Sequence, residues 1–322
     1  CFMIKDRLLA ALLLCVFVAP TTYADLPLTI EDLLTAERRW RADVNLVYAN
    51  IDRRDVESLF TTIQLGPGQF INVPVSVTQA RQNTDILALS IGLRYRISLN
   101  TEIYSRISGV YQNYRTLNTE WSSSDSDQKF TDAWLGINHR FSEDNNTPAL
   151  LGFAEVALAE NVAGEGTDFE YGKAGMAGIT TYRAIDPLVL SLTTGYRYSS
   201  ELVVQNQGID TGDIFFINPS IAFAVNHEVT MTSGLQWRWQ QQDSVDNQDQ
   251  GIRTTRTKME FGIGYAWSKR TTLQFNSRAD ITGDSGAEIS MTFLYKLPSR
   301  FSKKNKEKGG DIETEEKENH MM

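Results

Sequence analysis

The chain has 322 residues, 41% of them hydrophobic, and a formal net charge of −9. An acidic chain of this kind is a poor partner for nucleic acid. Its two cysteines, Cys1 and Cys15, both fall in the first two dozen residues, so disulfide and thiol chemistry is excluded for everything after them.

At the N-terminus, Lys5 and Arg7 precede the apolar run 8–20, and Thr22, Tyr23 and Ala24 form a small-residue cleavage site before Asp25. This predicts a secretory signal peptide over residues 1–24. Removing Lys5, Asp6 and Arg7 with it leaves 29 basic and 39 acidic residues. Residues 25–39, DLPLTIEDLLTAERR, predict a short helix. Thr29 can cap it, Ile30, Leu33 and Leu34 share one face, and Glu31, Asp32 and Glu37 carry charge elsewhere. Alone in water so short a helix is marginal, and it needs a surface to dock on.

From Trp40 the periodicity changes. In DILALSIGLRYRISLNTEIYSRISGVYQNY, residues 85–114, Leu87, Leu89, Ile91, Leu93 and Tyr95 fall on one face, with Ala88, Ser90, Gly92, Arg94 and Arg96 on the other. Period two continues beyond the break at 98–101, with Ile103, Ile107 and Tyr111 set against Glu102, Tyr104, Arg106, Ser108 and Gln112. This is an antiparallel hairpin with a tight turn. The same reading along the chain gives twelve strands, near 40–50, 86–96, 102–113, 132–141, 150–159, 172–184, 188–199, 214–225, 229–241, 256–267, 271–282 and 289–297.

The connections after even-numbered strands are short (99–100, 142–148, 185–187, 226–228, 268–269), and those after odd-numbered strands are mostly long and polar (51–85, 115–131, 160–171, 200–213, 242–255). Short turns at one end and long loops at the other are the mark of an outer-membrane barrel. Aromatic residues support it at two levels: Trp40, Tyr95, Phe141, Tyr182, Trp267 and Tyr295 toward the short turns, and Tyr111, Tyr198, Phe215 and Trp239 toward the loops. The expected fold is therefore all-β, a twelve-stranded antiparallel transmembrane β-barrel over residues 40–297, with a short N-terminal helix and long extracellular loops. Within the first long loop, the extended stretch 58–79 predicts a hairpin projecting above the membrane. Residues 298–322, rich in lysine and glutamate, predict a charged disordered periplasmic tail.

The strand register places Arg41, Asp43, Arg94, Arg96, Glu102, Arg106, Asp132, Arg140, Glu155, Arg183, Arg197, Arg238, Arg256, Lys258, Glu260, Arg278 and Asp280 on the lumen face, with cations in excess. Such a lumen favours anionic solutes through its local potential. An equally weighted reading is that charged ladders across neighbouring strands pin the wall and leave no wide pore. A twelve-stranded barrel is intermediate between side-chain-filled and open ones. The helix carrying Ile30, Glu31, Asp32, Leu33, Leu34 and Glu37 could close it as a plug, or else lie across the periplasmic mouth without gating.

Catalytic readings are weak. A lipid hydrolase needs serine, histidine and an orienting group together near the outer leaflet. His139 and His227 fall at periplasmic strand ends and His320 in the tail. The loop carboxylates Asp125, Asp127, Glu165, Asp168, Glu170, Asp243, Asp246 and Asp249 show no EF-hand spacing. No cofactor and no metal are implied.

The signal peptide, short helix and strands such as DILALSIGLRYRISLNTEIYSRISG resemble the broad family of outer-membrane transporters grouped as meta-pathway phenol degradation. In pattern the chain is also similar to the Fap-type functional-amyloid exporter, a twelve-stranded barrel closed by an N-terminal helix. That exporter carries a long coiled-coil extension before its plug, where this chain has about fifteen residues. The resemblance implies a transport role. The sequence thus predicts a passive channel in the bacterial outer membrane, not an enzyme, carrying a small organic solute, anions favoured, or a secreted polypeptide. The alternatives are a surface-interaction barrel acting through its loops and, more weakly, a lipid-modifying enzyme. Expected partners are outer-membrane lipid and lipopolysaccharide, the barrel-assembly machinery and, as a candidate, a second copy of the chain.

Overall fold

The computed structural model describes residues 40–53, 60–66, 69–74, 81–117, 122–161, 169–204, 207–246, 248–250, 252–282 and 286–298. The expected signal peptide, the helix at 25–39 and the tail beyond 298 lie outside these residues.

Twelve strands form the wall: β1 (Trp40–Arg53), β4 (Arg81–Arg96), β5 (Thr101–Leu117), β6 (Ser122–Ser142), β7 (Ala149–Asn161), β9 (Ala174–Ile185), β10 (Leu188–Ser199), β13 (Ile214–Ala224), β14 (Val229–Gln240), β17 (Thr254–Ser268), β18 (Thr271–Asp280) and β19 (Gly286–Lys296). Between them lie the hairpin β2 (Phe60–Gly66) and β3 (Gln69–Pro74), the short β8 (Phe169–Glu170), and β11 (Leu202–Val204), β12 (Gln207–Asp210), β15 (Asp243–Val245) and β16 (Gln248–Gln250). All wall pairings are antiparallel between chain neighbours, and the pairing of β1 with β19 closes the circle. Closure leaves no unpaired edge, the condition for a sheet to cross hydrocarbon.

Alternation then decides what each face meets. Leu89, Ile91, Ile107, Leu135 and Ile263 are 43–51% exposed on the outside, among a band of Leu, Ile, Val and Phe that covers the wall. Charged and amide residues two positions apart point inward and are buried. An apolar exterior around a polar interior inverts a soluble sandwich and matches a lipid-facing barrel. Trp40, Phe141 and Trp267 sit exposed toward the short turns, and Tyr111 and Tyr198 toward the loops. Tyr182 departs from the expected outer belt: it faces inward and rests on Val189 and Ala222.

The loop regions hold more ladder than their polarity suggested. The expected loop 115–131 is largely strand, because β5 and β6 stay in register up to Leu117 and Ser122 past a bulge at Ser108/Gly109. Residues 122–128 are serine, aspartate and glutamine, which pair as strands in water above an apolar band only about 25 Å tall. The loops at 200–213 and 242–255 likewise contribute β11, β12, β15 and β16 to one four-stranded sheet.

The largest correction concerns the first long loop. β2 and β3 do form the expected hairpin, but it folds into the lumen instead of projecting above the wall. Ile63, Leu65, Ile71 and Val73 are all but fully buried against inward-facing Val47, Ala49 and Ile51 of β1, Ile86 and Ala88 of β4, and Val110 of β5. The reason is visible in composition. The hairpin carries Ile63, Leu65, Ile71 and Val73 on one face and no charged residue in β2 or β3, so burial against an apolar patch on the inner wall is favoured over exposure to water.

Candidate functional site: a plugged lumen and its residual cleft

The hairpin is a two-stranded sheet whose edges would be unpaired inside the barrel, and buried backbone groups need partners. Wall side chains supply them. Arg238 of β14 donates to the Thr62 carbonyl at 3.1 Å, Arg278 of β18 to the Gln64 carbonyl at 3.0 Å, and Arg106 of β5 to the Phe70 carbonyl at 3.4 Å. Asn45 of β1 donates to the Leu65 carbonyl. The hairpin is thus tied to four strands around the circle.

These guanidiniums are held in place by carboxylates on adjoining strands. Arg106 pairs with Asp132 at 3.5 Å and Glu155 at 3.2 Å, and Tyr104 donates to Glu155 at 3.2 Å. Arg278 pairs with Glu260 at 3.2 Å and Glu288 at 3.4 Å. Lys258 pairs with Glu288 and lies 3.9 Å from Asp280. Nearer the short turns, Arg94 bridges Asp43 at 3.0 Å and Glu102 at 3.5 Å. Arg197 meets Glu160 at 3.1 Å, and the Trp134 ring lies between the Arg106 and Arg197 guanidiniums at 4.9 and 5.2 Å. Paired and hydrogen-bonded, these buried charges avoid the penalty that either sign alone would carry.

Of the lumen residues expected from sequence, Arg41, Asp43, Arg94, Glu102, Arg106, Asp132, Glu155, Arg197, Arg238, Arg256, Lys258, Glu260, Arg278 and Asp280 lie on the inner face. Arg96 and Arg140 sit at the short-turn rim, Arg96 on the Ser98 and Leu99 carbonyls and Arg140 on Asn100 and Glu143. Arg183 is a correction. Its cross-strand partner is outward-facing Leu190, and it reaches Asp144 at 3.0 Å in the turn rather than the lumen. The plug-helix residues Ile30, Glu31, Asp32, Leu33, Leu34 and Glu37 lie outside the described residues. His139 meets Thr101 at 2.9 Å and the Phe141 ring, and His227 is exposed in a turn beside Glu228.

Sequence reasoning missed Glu288, which falls one residue before the strand start expected at 289, and Glu160, which it assigned to a loop. It also missed the hairpin's second face. There Thr62, Gln64 and Phe70 look across a cleft at Phe216 and Asn218 of β13, Gln236 and Arg238 of β14, and Arg256 and Lys258 of β17. The cleft has about 20 Å³ available to water centres, room for roughly one water. Phe70 meets Phe216 edge to face, with ring centroids 5.1 Å apart. Among the described residues, this slot lies beside the seated hairpin.

No protein-family model matches the sequence, and no curated protein matches it. Among solved structures, the chain is similar to an outer-membrane channel from Pseudomonas putida F1, at 10% identity and a TM-score of 0.55, over 87% of this chain and all of that one. It also matches the translocator domain of the autotransporter NalP from Neisseria meningitidis (7% identity, 83% and 90% coverage, TM-score 0.48). A third match is CymD, a monoaromatic hydrocarbon channel (10% identity, 82% and 89% coverage, TM-score 0.44). What the first of these likenesses establishes is the fold, a closed β-barrel.

Proposed function

We propose that the chain is a passive channel of the bacterial outer membrane for small solutes, closed at rest by the β2–β3 hairpin. The observation that carries this reading is the hairpin itself: a resident plug tied by neutral carbonyls to wall arginines, beside a slot lined with cations. The similarity to an outer-membrane channel and the pattern resemblance to meta-pathway phenol-degradation transporters support a transport role. Cation-lined constrictions favour anions. The segment 25–39 is a second candidate gate. Outer-membrane lipid, lipopolysaccharide and the barrel-assembly machinery are the partners this reading requires.

A secreted polypeptide is the second reading. It is favoured by one observation, that the inner wall already holds an extended segment by its main-chain carbonyls, a mode indifferent to side chains. Such cargo needs the hairpin out of the lumen altogether.

The test is conductance in planar bilayers of three purified proteins: the mature barrel, one with residues 58–79 replaced by a short Gly-Ser link, and one lacking 25–39. Steady current from the hairpin-less barrel, against near silence from the intact one, is the expected result. Silence from both folded truncations overturns the channel reading, and opening only on loss of 25–39 moves the gate to that segment.

A further inference from the structure

Gln64 and Phe70 are cross-strand partners in the hairpin, and their carbonyls leave it on opposite sides, Gln64 toward Arg278 of β18 and Phe70 toward Arg106 of β5. The two guanidiniums therefore mark faces of the wall that look at each other across one level of the lumen. Each belongs to a charged cluster, and the clusters differ in sign.

On the side of β14, β17, β18 and β19, Arg278 pairs with Glu260 and Glu288, and Lys258 with Glu288. Arg238 and Arg256 act with Lys258 on Asp280, and Arg238 also acts on Glu288. Four cations meet three carboxylates, so this side carries one net positive charge. On the side of β5, β6, β7 and β10, Arg106 pairs with Asp132 and Glu155, and Arg197 with Glu160. Asp132 and Glu160 are themselves cross-strand partners. Two cations meet three carboxylates, and this side carries one net negative charge.

At contact range the paired charges satisfy one another. Across the lumen the net charge of each cluster prevails, because the field of a matched pair falls off faster than that of an unbalanced charge, and low-dielectric walls focus what remains. The seated hairpin hides this opposition. It sets neutral carbonyls between the two sides, and the slot beside it shows only Arg238, Arg256 and Lys258 among its charged residues.

We propose that, with the hairpin released, the two clusters are the opposed poles of a constriction that selects small extended zwitterions. The carboxylate end turns toward Arg278 and Arg238, and the ammonium end toward Asp132 and Glu160. This rests on the channel reading above and narrows its small solutes to one class. A net anion gains at one pole what it loses at the other, whereas a zwitterion gains at both. The span agrees: two strands about 4.8 Å apart, flanked by hydrogen bonds of 3.0 and 3.4 Å, hold the guanidiniums roughly 12–15 Å from each other. A chain of five or six carbons with a charge at each end comes close to both sides.

The experiment uses the full-length mature chain opened by Ile63→Asp, which drives the hairpin from its apolar seam, with the hairpin-less barrel as a second background. Uptake into proteoliposomes is measured for 6-aminohexanoate, for its uncharged isomer 6-hydroxyhexanamide and for the anion 6-hydroxyhexanoate, each corrected for protein-free vesicles. The zwitterion is expected to enter faster than either by roughly fivefold, equivalent to about 1 kcal/mol. In a potassium chloride gradient the reversal potential should lie near zero. Glu155→Gln should move it toward the chloride value and Lys258→Gln toward the potassium value, and each should reduce the lead of the zwitterion. Asp132→Asn and Arg256→Gln make the same charge changes if those variants do not fold.

Equal uptake of the three solutes through a conducting protein overturns this inference and leaves the channel reading standing, as does an anion that matches the zwitterion. Reversal potentials unmoved by either charge change overturn the poles. Silence from the Ile63→Asp protein and from both truncations overturns the channel reading itself.

Discussion

The Arg278 guanidinium on β18 donates to the Gln64 carbonyl at 3.0 Å, joining residues 214 positions apart in the chain. The same group is locked between Glu260 and Glu288, and it is 97% shielded from solvent. A two-stranded hairpin is at best marginally stable in water. Its place in the lumen therefore depends on the wall that receives it, and that wall is set by residues from both ends of the barrel.

Replacing Arg278 by alanine removes a bond from a charged donor, worth about 1.5–3 kcal/mol, and leaves Glu288 and Glu260 short of a partner. The seated state of the hairpin should lose roughly ten- to hundredfold in population relative to the released one. Single-channel open fraction reads this directly, and the heat-modifiable migration of the folded barrel checks that the wall has survived.

Ile63→Asp acts on the other face of the plug. It places a carboxylate in the apolar seam formed by Val47, Ile86, Ala88 and Val110. An unpaired charge in such a place costs several kcal/mol, more than the seat can supply. The variant should conduct continuously with its barrel intact, and Ile63→Val should behave as the parent.

The wall was largely legible in the sequence, because period two with lipid outside and charge inside repeats the same code twelve times. Glu102, Arg106 and Arg278 could be placed in the lumen on that code alone. What could not be read was where the first loop goes. Residues 60–74 show a hairpin's alternation, but alternation is silent on whether the apolar face meets a partner above the membrane or inside the barrel. The answer lies in Val47, Ala49, Ile86, Ala88 and Val110, inward residues that are apolar where a water-filled lumen would have them polar. That anomaly was the available signal. Arg183 and Tyr182 were exchanged between faces because a one-residue error in strand phase inverts every side chain. Glu160 and Glu288 were missed because strand ends in polar sequence carry no hydrophobic contrast.

Gly136 tests the inner network. A Cβ there would lie 2.3 Å from the Tyr104 ring, its cross-strand neighbour. Gly136→Val must push Tyr104 off Glu155 and disturb the Arg94 guanidinium that lies 5.0 Å over the Tyr104 ring. The folded barrel should lose about 1–3 kcal/mol, seen as a lower melting temperature in detergent, while Gly136→Ala should lose less.

Ile107 tests the membrane placement. It lies 51% exposed on the outer face of β5, near the middle of the apolar band. Ile107→Arg should cost about 2–4 kcal/mol of folding free energy into bilayers, as a charge at the midplane does. Arginine at Arg115, already exposed above the band and paired with Asp85 at 2.8 Å, is the native contrast, and Arg115→Ala should change folding into bilayers by less than about 1 kcal/mol.

The central claim is that the β2–β3 hairpin closes the channel, and the most direct measurement is to fix it in place. Asn45 and Leu65 touch across the seam, through the Asn45 amide and the Leu65 carbonyl, and the barrel has no cysteine of its own to interfere. In the conducting Arg278→Ala protein, Asn45→Cys and Leu65→Cys, joined by oxidation or a short bifunctional reagent, should abolish the openings in a planar bilayer, and cleaving the link should restore them. Unchanged current through the cross-linked protein would contradict the account.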